Sequence, residues 1–245
     1  MEEDSNQRRS VQVSVILPAY NEANRLEVAV AKVVEALEEF AESYEVIIAE
    51  DGSTDGTDKL ADALAMKYSF IKHIHGEKRL GRGTALKNSF KKSSGEVLVY
   101  MDLDLATDLK HLKPLVDAVE YKGYDFAIGS RMLSESKVER SRTRRIASKS
   151  YNFLVRALLG SKVKDHQCGF KAFRREPLMQ LLDEVTARHW FWDTEIIVRA
   201  FRKGYTIEEI PVEWKGGRET KVRLLSDSFS MGWQVIKLWW QLKRQ

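Results

Sequence analysis

Residues 97–104 read Val97-Leu98-Val99-Tyr100-Met101-Asp102-Leu103-Asp104, an apolar run of strand length that ends in two carboxylates. Apolar residues without polar alternation are typical of a strand buried on both faces, as in a parallel sheet. In open α/β sheets, ligands bind beyond the carboxyl ends of such strands. Because side chains two apart on a strand share one face, Asp102 and Asp104 can contact the same ligand. With no evident cation nearby, the two carboxylates indicate a divalent metal ion, Mg²⁺ or Mn²⁺, that holds a diphosphate. The alternative is that Asp102 and Asp104 only begin a loop or cap a helix that starts near Asp108.

Strand-like and helix-like stretches alternate through the first half of the chain. Strands are predicted over residues 11–17, 45–49, 70–74, 96–101 and 124–128, and helices over residues 25–44, 55–68, 83–92 and 111–122. This alternation predicts an α/β fold with a mainly parallel central sheet that is flanked by helices. No internal repeat or Pro/Gly-rich linker interrupts the pattern. We therefore expect a disordered tail at 1–10 and a single Rossmann-like domain over 11–223.

The alternation stops after Gly129. The sequence then predicts a polar loop over 134–142, a helix over 143–159, a strand or hairpin over 165–173, a helix that Asp193 caps, and a strand over 206–214. Pro211 favours an edge position for that last strand, because proline cannot donate to a neighbouring strand.

The last predicted helix, residues 224–245, is amphipathic. Its polar residues form a narrow stripe, and its wide apolar face carries several tryptophans. Such a face suits a membrane interface, a partner subunit or the core of the domain itself.

Composition narrows the class of protein. The chain has 245 residues, of which 43% are hydrophobic and 31% charged, as in ordinary globular proteins. The single cysteine, Cys168, excludes a disulfide framework, and no apolar stretch is long enough to span a bilayer. Basic residues crowd positions 140–149, which suggests an anionic ligand or membrane surface rather than nucleic acid. The five histidines lack the spacing of a known metal motif, so His73 and His75 are predicted to be structural.

Two further strand ends carry polar motifs, Pro18-Ala19-Tyr20-Asn21-Glu22 and Glu50-Asp51-Gly52-Ser53-Thr54-Asp55-Gly56-Thr57. Tyr20 offers a ring on which a base could stack, and Glu22 can accept hydrogen bonds from a base or ribose. Asp51 again follows a strand. The alternative is that these residues only cap the helices that follow, with Asn21 capping the first and Thr54 or Asp55 the second.

These two motifs and Asp102-Leu103-Asp104, in this order and spacing, resemble family 2 inverting glycosyltransferases. More narrowly, they resemble the dolichyl-phosphate (polyprenyl-phosphate) mannose and glucose synthases. The resemblance extends from about residue 11 to about residue 221 and implies a GT-A fold. It also implies transfer of a hexose from a nucleotide-sugar to a polyprenyl phosphate, with Mg²⁺ or Mn²⁺ as cofactor, by a peripheral protein at the cytoplasmic face of a membrane.

The resemblance assigns roles to individual residues. It implies a nucleotide pocket formed by Pro18, Tyr20, Glu22, Asp51 and Asp102, and a metal held by Asp102 and Asp104. It implies that four residues act in catalysis, with the basic ones facing the phosphates: Asp104, Arg131, Arg145 and Lys221. It further implies acceptor-phosphate contacts from Arg144, Lys171 and Lys215, although Lys215 stands where mannose synthases tend to have arginine.

The donor stays open at this stage. Mannose synthases often carry glutamine after the Asp-x-Asp-Leu element, whereas Ala106 and Thr107 follow it here, as in the glucose type. UDP-glucose, GDP-mannose and UDP-GlcNAc therefore remain candidates, with the UDP-sugars favoured. Two other functions remain open: transfer to a saccharide or protein hydroxyl, with Asp193 or Glu195 as base, and a non-catalytic nucleotide-sugar-binding membrane adaptor.

Overall fold

A computed structural model describes residues 11–216 and 224–244, with the side chains of the last helix described from residue 230. Its central sheet has seven strands in the order β3-β2-β1-β4-β7-β5-β8. They are β1 (Val13–Ala19), β2 (Tyr44–Glu50), β3 (Ile71–Ile74), β4 (Val97–Met101), β5 (Phe126–Ser130), β7 (Phe170–Arg174) and β8 (Ile207–Pro211). Two short strands, β6 (Lys137–Glu139) and β9 (Glu213–Lys215), form a separate parallel ribbon.

All pairings in the central sheet are parallel except those of β7, which runs antiparallel to β4 and β5. The predicted mainly parallel sheet is therefore confirmed. Pro211 ends β8 at one edge of the sheet, as its missing N–H requires.

Eight α-helices are present in the described part of the chain. They are α1 (Leu26–Glu38), α2 (Thr57–Lys67), α3 (Arg82–Lys92), α4 (Leu112–Glu120), α5 (Arg142–Leu159), α6 (Arg175–Leu182), α7 (Trp192–Arg202) and α8 (Leu224–Lys243). The range of α8 agrees with the predicted final helix. None of the helices in these described ranges is long and apolar enough to cross a membrane.

The strands present alternate residues to two hydrophobic cores, one on each face of the sheet. Val13, Val15 and Leu17 of β1 pack with α1, α2 and α4 on one face, whereas Ile16 joins α3, α6 and α7 on the other. A third cluster joins α5, α7 and α8. Burial on both faces explains why β4 is an uninterrupted apolar run.

Several predicted boundaries are wrong. The predicted loop over 134–142 contains β6, whose partner β9 is distant in sequence. Of the predicted strand at 165–173, only residues 170–173 lie in the sheet, as part of β7, which continues to residue 174. Helix α6 has no counterpart in the prediction, because its short apolar stripe lies directly after β7 and merges with it in the sequence.

The predicted helix caps also differ from those observed. Gly56, with a left-handed backbone, is the N-cap of α2, and Arg25 that of α1. Phe191 is the N-cap of α7, so Asp193 lies inside its first turn. The side chain of Asp193 pairs instead with two cations, Arg82 and Lys171.

Strand β4 approaches β1 so closely that Gly95 has no room for a side chain. A Cβ at Gly95 would lie 2.5 Å from the Ser14 backbone nitrogen and 2.6 Å from its Oγ. The Gly95 N–H donates to that same Oγ over 2.8 Å, and the Ser14 hydroxyl donates to Glu45 over 2.6 Å. Gly232 in α8 is the opposite case, because a Cβ there would meet no atom within 4 Å.

We therefore expect Gly95→Ala to lower the free energy of unfolding by about 1–3 kcal/mol, since the β1–β4 approach must widen. Gly232→Ala should instead be neutral or stabilise by up to about 1 kcal/mol, since alanine favours the helix. Urea unfolding of both variants measures the difference. Equal stabilities would show that the β1–β4 approach is not under steric constraint.

Candidate active site

The carboxyl end of β2 is tied to the segment before α3 through Asp51. The buried Asp51 carboxylate accepts hydrogen bonds from two successive backbone N–H groups, Leu80 (2.7 Å) and Gly81 (2.8 Å). Gly81 has a φ of 103°, which is left-handed and favours glycine. Asp51 therefore fixes the backbone immediately before Arg82, the first residue of α3.

The loop that follows β1 is joined to the loop that follows β2. Asn21, at φ 52°, accepts a hydrogen bond from the Thr54 N–H (2.8 Å) and donates from its own N–H to Ser53 (3.0 Å). Asn21 is thus a link between loops, not the helix cap that was the alternative. Left-handed backbone at a non-glycine residue is strained, and such strain concentrates at functional sites.

Three predicted nucleotide-pocket residues lie on this joined edge. Pro18 is half-buried in β1 opposite Ala49 of β2. The Arg79 guanidinium lies 3.9 Å from the centre of the Tyr20 ring. Glu22 pairs with Arg25 over 2.9 Å. The strand order places all three beside Asp51 and Asp102, because β2 and β4 both pair with β1.

Asp102 and Asp104 follow β4 in a tight turn. The Asp102 N–H donates to the Gly169 carbonyl over 2.9 Å, and a Cβ at Gly169 would collide with the Asp102 carboxylate. Asp104 accepts from the Ala106 N–H over 3.1 Å, with Leu105 between them in the left-handed region at φ 48°. Loss of hydration in the cleft and the neighbouring Asp102 charge raise the pKa of Asp104. Two like charges held this close favour a bound cation.

An arginine that the sequence prediction missed, Arg82, holds Asp102. Its guanidinium pairs with Asp102 on one side and with Asp193 over 2.8 Å on the other. It also lies 5.2 Å from the Tyr100 ring and 5.0 Å from the Trp190 ring. The expectation that no internal cation lies near the two carboxylates is therefore wrong. Arg82 neutralises part of the charge of Asp102 from one side.

Lys171 extends this chain of charges into the core. Its ammonium lies 2.6 Å from Asp193 and 3.2 Å from the Tyr100 hydroxyl, and it also donates to the Cys168 carbonyl. The side chain of Lys171 is fully buried. As placed, it cannot make the acceptor-phosphate contact that the resemblance implied. Burial lowers the pKa of Lys171 and raises the pKa of Asp193, whereas the nearby Arg82 lowers the pKa of Asp193.

Arg131 is held by a buried carboxylate. Its Nε and Nη2 donate to the two oxygens of Asp165 over 2.7 and 2.9 Å, and its backbone N–H donates to the same carboxylate over 3.0 Å. Burial alone would raise the pKa of Asp165, but Arg131 holds it well below its usual range. The Arg131 guanidinium lies 5.6 Å from the Trp214 ring.

Arg140 is a second arginine that the prediction did not assign to the site. Its guanidinium lies 5.9 Å from the same Trp214 ring, and its buried Nε has no hydrogen-bond partner among the described residues. Burial and the nearby charges of Arg131 and Arg145 lower the pKa of Arg140 to about 10. Cations this close together lower one another's pKa, and a bound anion would relieve their repulsion.

Three of the remaining predicted basic residues make only local contacts, on α5 and β9. Arg145 is exposed on α5 and donates to the Val138 carbonyl over 3.2 Å. Arg144 is in the first turn, where its N–H donates to the Ser141 cap. Lys215 pairs at the surface with Glu139 over 3.2 Å. Lys221 lies outside the described residues.

Residues 14–182, more than half of the chain, match glycosyl transferase family 2. The chain belongs to this family. It is a glycosyltransferase with a GT-A fold, and the resemblance noted from its sequence motifs is confirmed.

Three similar proteins carry names that describe glycosyltransferases. This glycosyltransferase is 50% identical to glycosyltransferase AglD of Haloferax volcanii over 95% of its own length, but it spans only 38% of AglD. It is 30% identical to a dolichyl-phosphate beta-glucosyltransferase of Dictyostelium discoideum, covering 96% of this chain and 76% of that one. The corresponding enzyme of Saccharomyces cerevisiae is 29% identical, with 91% and 73% covered.

Solved structures support the fold. Glucosyl-3-phosphoglycerate synthase from Mycobacterium tuberculosis, in complex with Mn²⁺, UDP and its product, superposes with a TM-score of 0.67. The sequence identity is 22%, over 92% of this chain and 77% of that one. At this identity the likeness shows a common fold.

The charge chain behind Asp102 predicts a non-additive response to mutation. Lys171→Met and Asp193→Asn should each lower the free energy of unfolding by about 3–5 kcal/mol, because each leaves its partner charged and buried. The double variant should lose clearly less than the sum of the two. Urea denaturation of the four proteins measures this coupling.

The exposed Lys203–Glu184 pair provides the control. Lys203→Met should change the free energy of unfolding by no more than about 1 kcal/mol. Additive losses at Lys171 and Asp193 would contradict the assignment of a buried, mutually dependent pair.

Proposed function

We propose that this glycosyltransferase moves glucose from UDP-glucose to a polyprenyl (dolichyl) phosphate, with inversion at the sugar and a divalent metal ion at Asp102 and Asp104. Asp102 and Asp104, at the end of β4, line one small cavity together with Trp214. The guanidinium groups of Arg131 and Arg140 lie over the ring of the same Trp214. Carboxylates that could hold a metal ion and arginines that could hold a phosphate therefore meet at one side chain, which suits two anionic reactants. The chain's similarity to dolichyl-phosphate beta-glucosyltransferases supports glucose and the lipid phosphate over the other candidates.

The joined ends of β1 and β2 support a nucleotide on the donor side. The Arg79 guanidinium stacks over the face of the Tyr20 ring, and flat groups of this kind suit contact with a base. Glu22 follows β1 and Asp51 follows β2, so both add a carboxylate at these neighbouring strand ends. With Asp102 at the neighbouring strand end, these residues form the proposed pocket for the nucleotide part of the donor.

The residues at the end of β4 fit a hard divalent ion. Both carboxylates reach the cleft, since the Asp102 side chain is 41% exposed despite its pairing with Arg82, and Asp104 is exposed. A small cavity of about 10 Å³, bordered by Asp102, Asp104 and Trp214, is close to the volume that one water or ion needs. Mg²⁺ and Mn²⁺ prefer oxygen ligands and share them with substrate phosphates. When bound, the ion would neutralise charge on the leaving diphosphate.

The arginine group supports an acceptor phosphate. Arg131 is fixed by Asp165, so its position is set before any ligand binds. Arg140 has an unpartnered Nε and shares the Trp214 ring with Arg131. Guanidinium groups bind phosphate oxygens through paired hydrogen bonds. We propose that Arg144, Arg145, Lys215 and Lys221 add positive charge that helps to hold the phosphates.

The chemistry requires little from the protein beyond position and charge. An ionised phosphate oxygen of the lipid attacks C1 of glucose, and the bond between C1 and the β-phosphate oxygen breaks, which inverts C1 and releases UDP. No proton has to be removed, because the lipid phosphate is already ionised near neutral pH. Holding the two anions together and stabilising the departing diphosphate are therefore the main demands.

The alternative of a hydroxyl acceptor needs a free general base, and the two candidates are occupied. Asp193 is bound by Arg82 and Lys171. Glu195 is bound by Arg199 and by the N–H groups of Thr186 and Ala187. Both carboxylates are buried, which favours the lipid-phosphate acceptor.

Two helices support peripheral contact with a membrane surface. Helices α5 and α8 pack together and expose large apolar side chains: Ile146 and Phe153 from α5, and Trp233, Ile236 and Trp240 from α8. A cavity of about 430 Å³ lies between α8 and the segment before α7. Trp190 lines this cavity and also contacts Arg82, so the cavity adjoins the carboxylate site.

Transfer assays with each of three donors, UDP-glucose, GDP-mannose and UDP-GlcNAc, test the proposal. With polyprenyl phosphate in detergent and Mn²⁺ or Mg²⁺ present, we expect UDP-glucose to be used best and a chelator to stop transfer. Asp104→Asn should lower the rate by about 10²–10³-fold, since it weakens charge stabilisation in the transition state.

Asp108→Asn is a matched control on the same loop, because Asp108 is exposed and asparagine can replace its capping bond to Lys110. This variant should keep wild-type activity. Wild-type activity in Asp104→Asn, or transfer only to a free saccharide, would refute the proposal.

A further inference from the structure

Two histidines and a glutamate converge at the carboxyl ends of β2 and β3. In the parallel register Ile48 lies opposite His73 and Ala49 opposite Ile74, which brings Glu50 next to His75. Because residues two apart share one face of a strand, His73 and His75 both point towards Glu50. Each of the three offers one ligand atom, and these atoms all lie within 4.8 Å of one another.

The surroundings of His73 are those of a metal ligand. Its Nδ1 lies 2.6 Å from a carboxylate oxygen of Asp62, and its side chain is only 5% exposed. A proton on Nδ1 leaves the lone pair on Nε2, and Nε2 is buried without a hydrogen-bond partner among the described residues. A histidine whose second nitrogen is held by a carboxylate is the usual arrangement around bound metal ions. An unpartnered buried nitrogen without a ligand would otherwise be unfavourable.

The other two side chains complete a set of three. Glu50 is buried, and one of its oxygens lies 2.6 Å from Nδ1 of His75. An ion bound between them would need these atoms to separate to about 3.3 Å, the spacing of neighbouring ligands in a tetrahedral zinc site. The His75 ring is 48% exposed, so it can make this movement and leave a fourth position open to water.

We propose that Glu50, His73 and His75 form a zinc site, with Asp62 orienting His73, separate from the metal at Asp102 and Asp104. Two imidazoles and one carboxylate favour Zn²⁺ over Mg²⁺, which prefers oxygen ligands alone. The ion ties the end of β3 to the end of β2, directly before Asp51 and the segment that Asp51 holds. The site therefore supports the donor side of the cleft without contacting the substrate.

Thermal unfolding with and without Zn²⁺, after dialysis of the full chain against a chelator, tests this site. A hundredfold excess of Zn²⁺ over its Kd should raise the melting temperature by about 5–10 °C. Co²⁺ should bind at one ion per chain and give the visible bands of a four-coordinate site. His73→Gln and His75→Gln should lose both effects, and Asp62→Asn should weaken binding by about 10–100-fold.

Asp104→Asn is the control that separates the two metal sites, and it should keep the full Zn²⁺ response. His75→Gln changes a half-exposed side chain, so in the presence of chelator it should melt as the wild type does. The proposal would be overturned if Zn²⁺ did not raise the melting temperature of the wild type. It would also be overturned if Zn²⁺ raised the melting temperature of His73→Gln and His75→Gln as much as that of the wild type. A response that Asp104→Asn abolishes would overturn it as well, since the ion would then occupy the donor site.

Discussion

The interaction on which the site depends is the guanidinium of Arg82 between Asp102 and Asp193. It joins the end of β4 to the first turn of α7, and Lys171 compensates Asp193 from within the core. Four alternating charges therefore run from the cleft into the protein. Such a chain is stable only when each charge keeps its partners, because a single buried charge is strongly unfavourable. Asp102 is thereby held at the cleft before any ligand arrives.

The same region shows how a parallel sheet makes a site from distant segments. Strands β2, β1 and β4 are neighbours, so the residues after each strand meet at one edge. Asp51 fixes the backbone at Leu80 and Gly81, and Arg82 follows directly in the chain. The end of β2 and the carboxylate pair are therefore linked through three consecutive residues, Leu80, Gly81 and Arg82. Buried carboxylates also hold the two arginines. Asp193 pairs with Arg82, and Asp165 pairs with Arg131.

The sequence predicted the features that depend on local pattern. The apolar run of β4, the alternation of strands and helices, and the range of α8 all follow from short-range periodicity, and the structure confirms them. The family could be recognised because its motifs lie at strand ends in a fixed order. The predictions at Tyr20, Asp51 and Asp102 concerned side chains whose position follows from their own strand.

What the sequence could not reveal depends on contacts between distant residues. Arg82 lies between Gly81 and Gly83, and nothing local in the sequence indicated that it would pair with Asp102 and Asp193. Lys171 resembled an acceptor contact, but the antiparallel pairing of β7 turns it into the core. His73 and His75 lacked the spacing of a metal motif, because their third partner, Glu50, comes from another strand. Buried charge partners are a property of the fold, and single-sequence patterns do not encode them.

The most direct measurement is a crystal structure with Mn²⁺ and UDP, with the metal located by its anomalous scattering. We expect an anomalous peak within bonding distance of Asp104 and beside Asp102. We also expect UDP phosphates on that ion, with Arg82 still paired to Asp193. A manganese ion bound away from these carboxylates, or UDP bound at a different edge of the sheet, would contradict the proposed site.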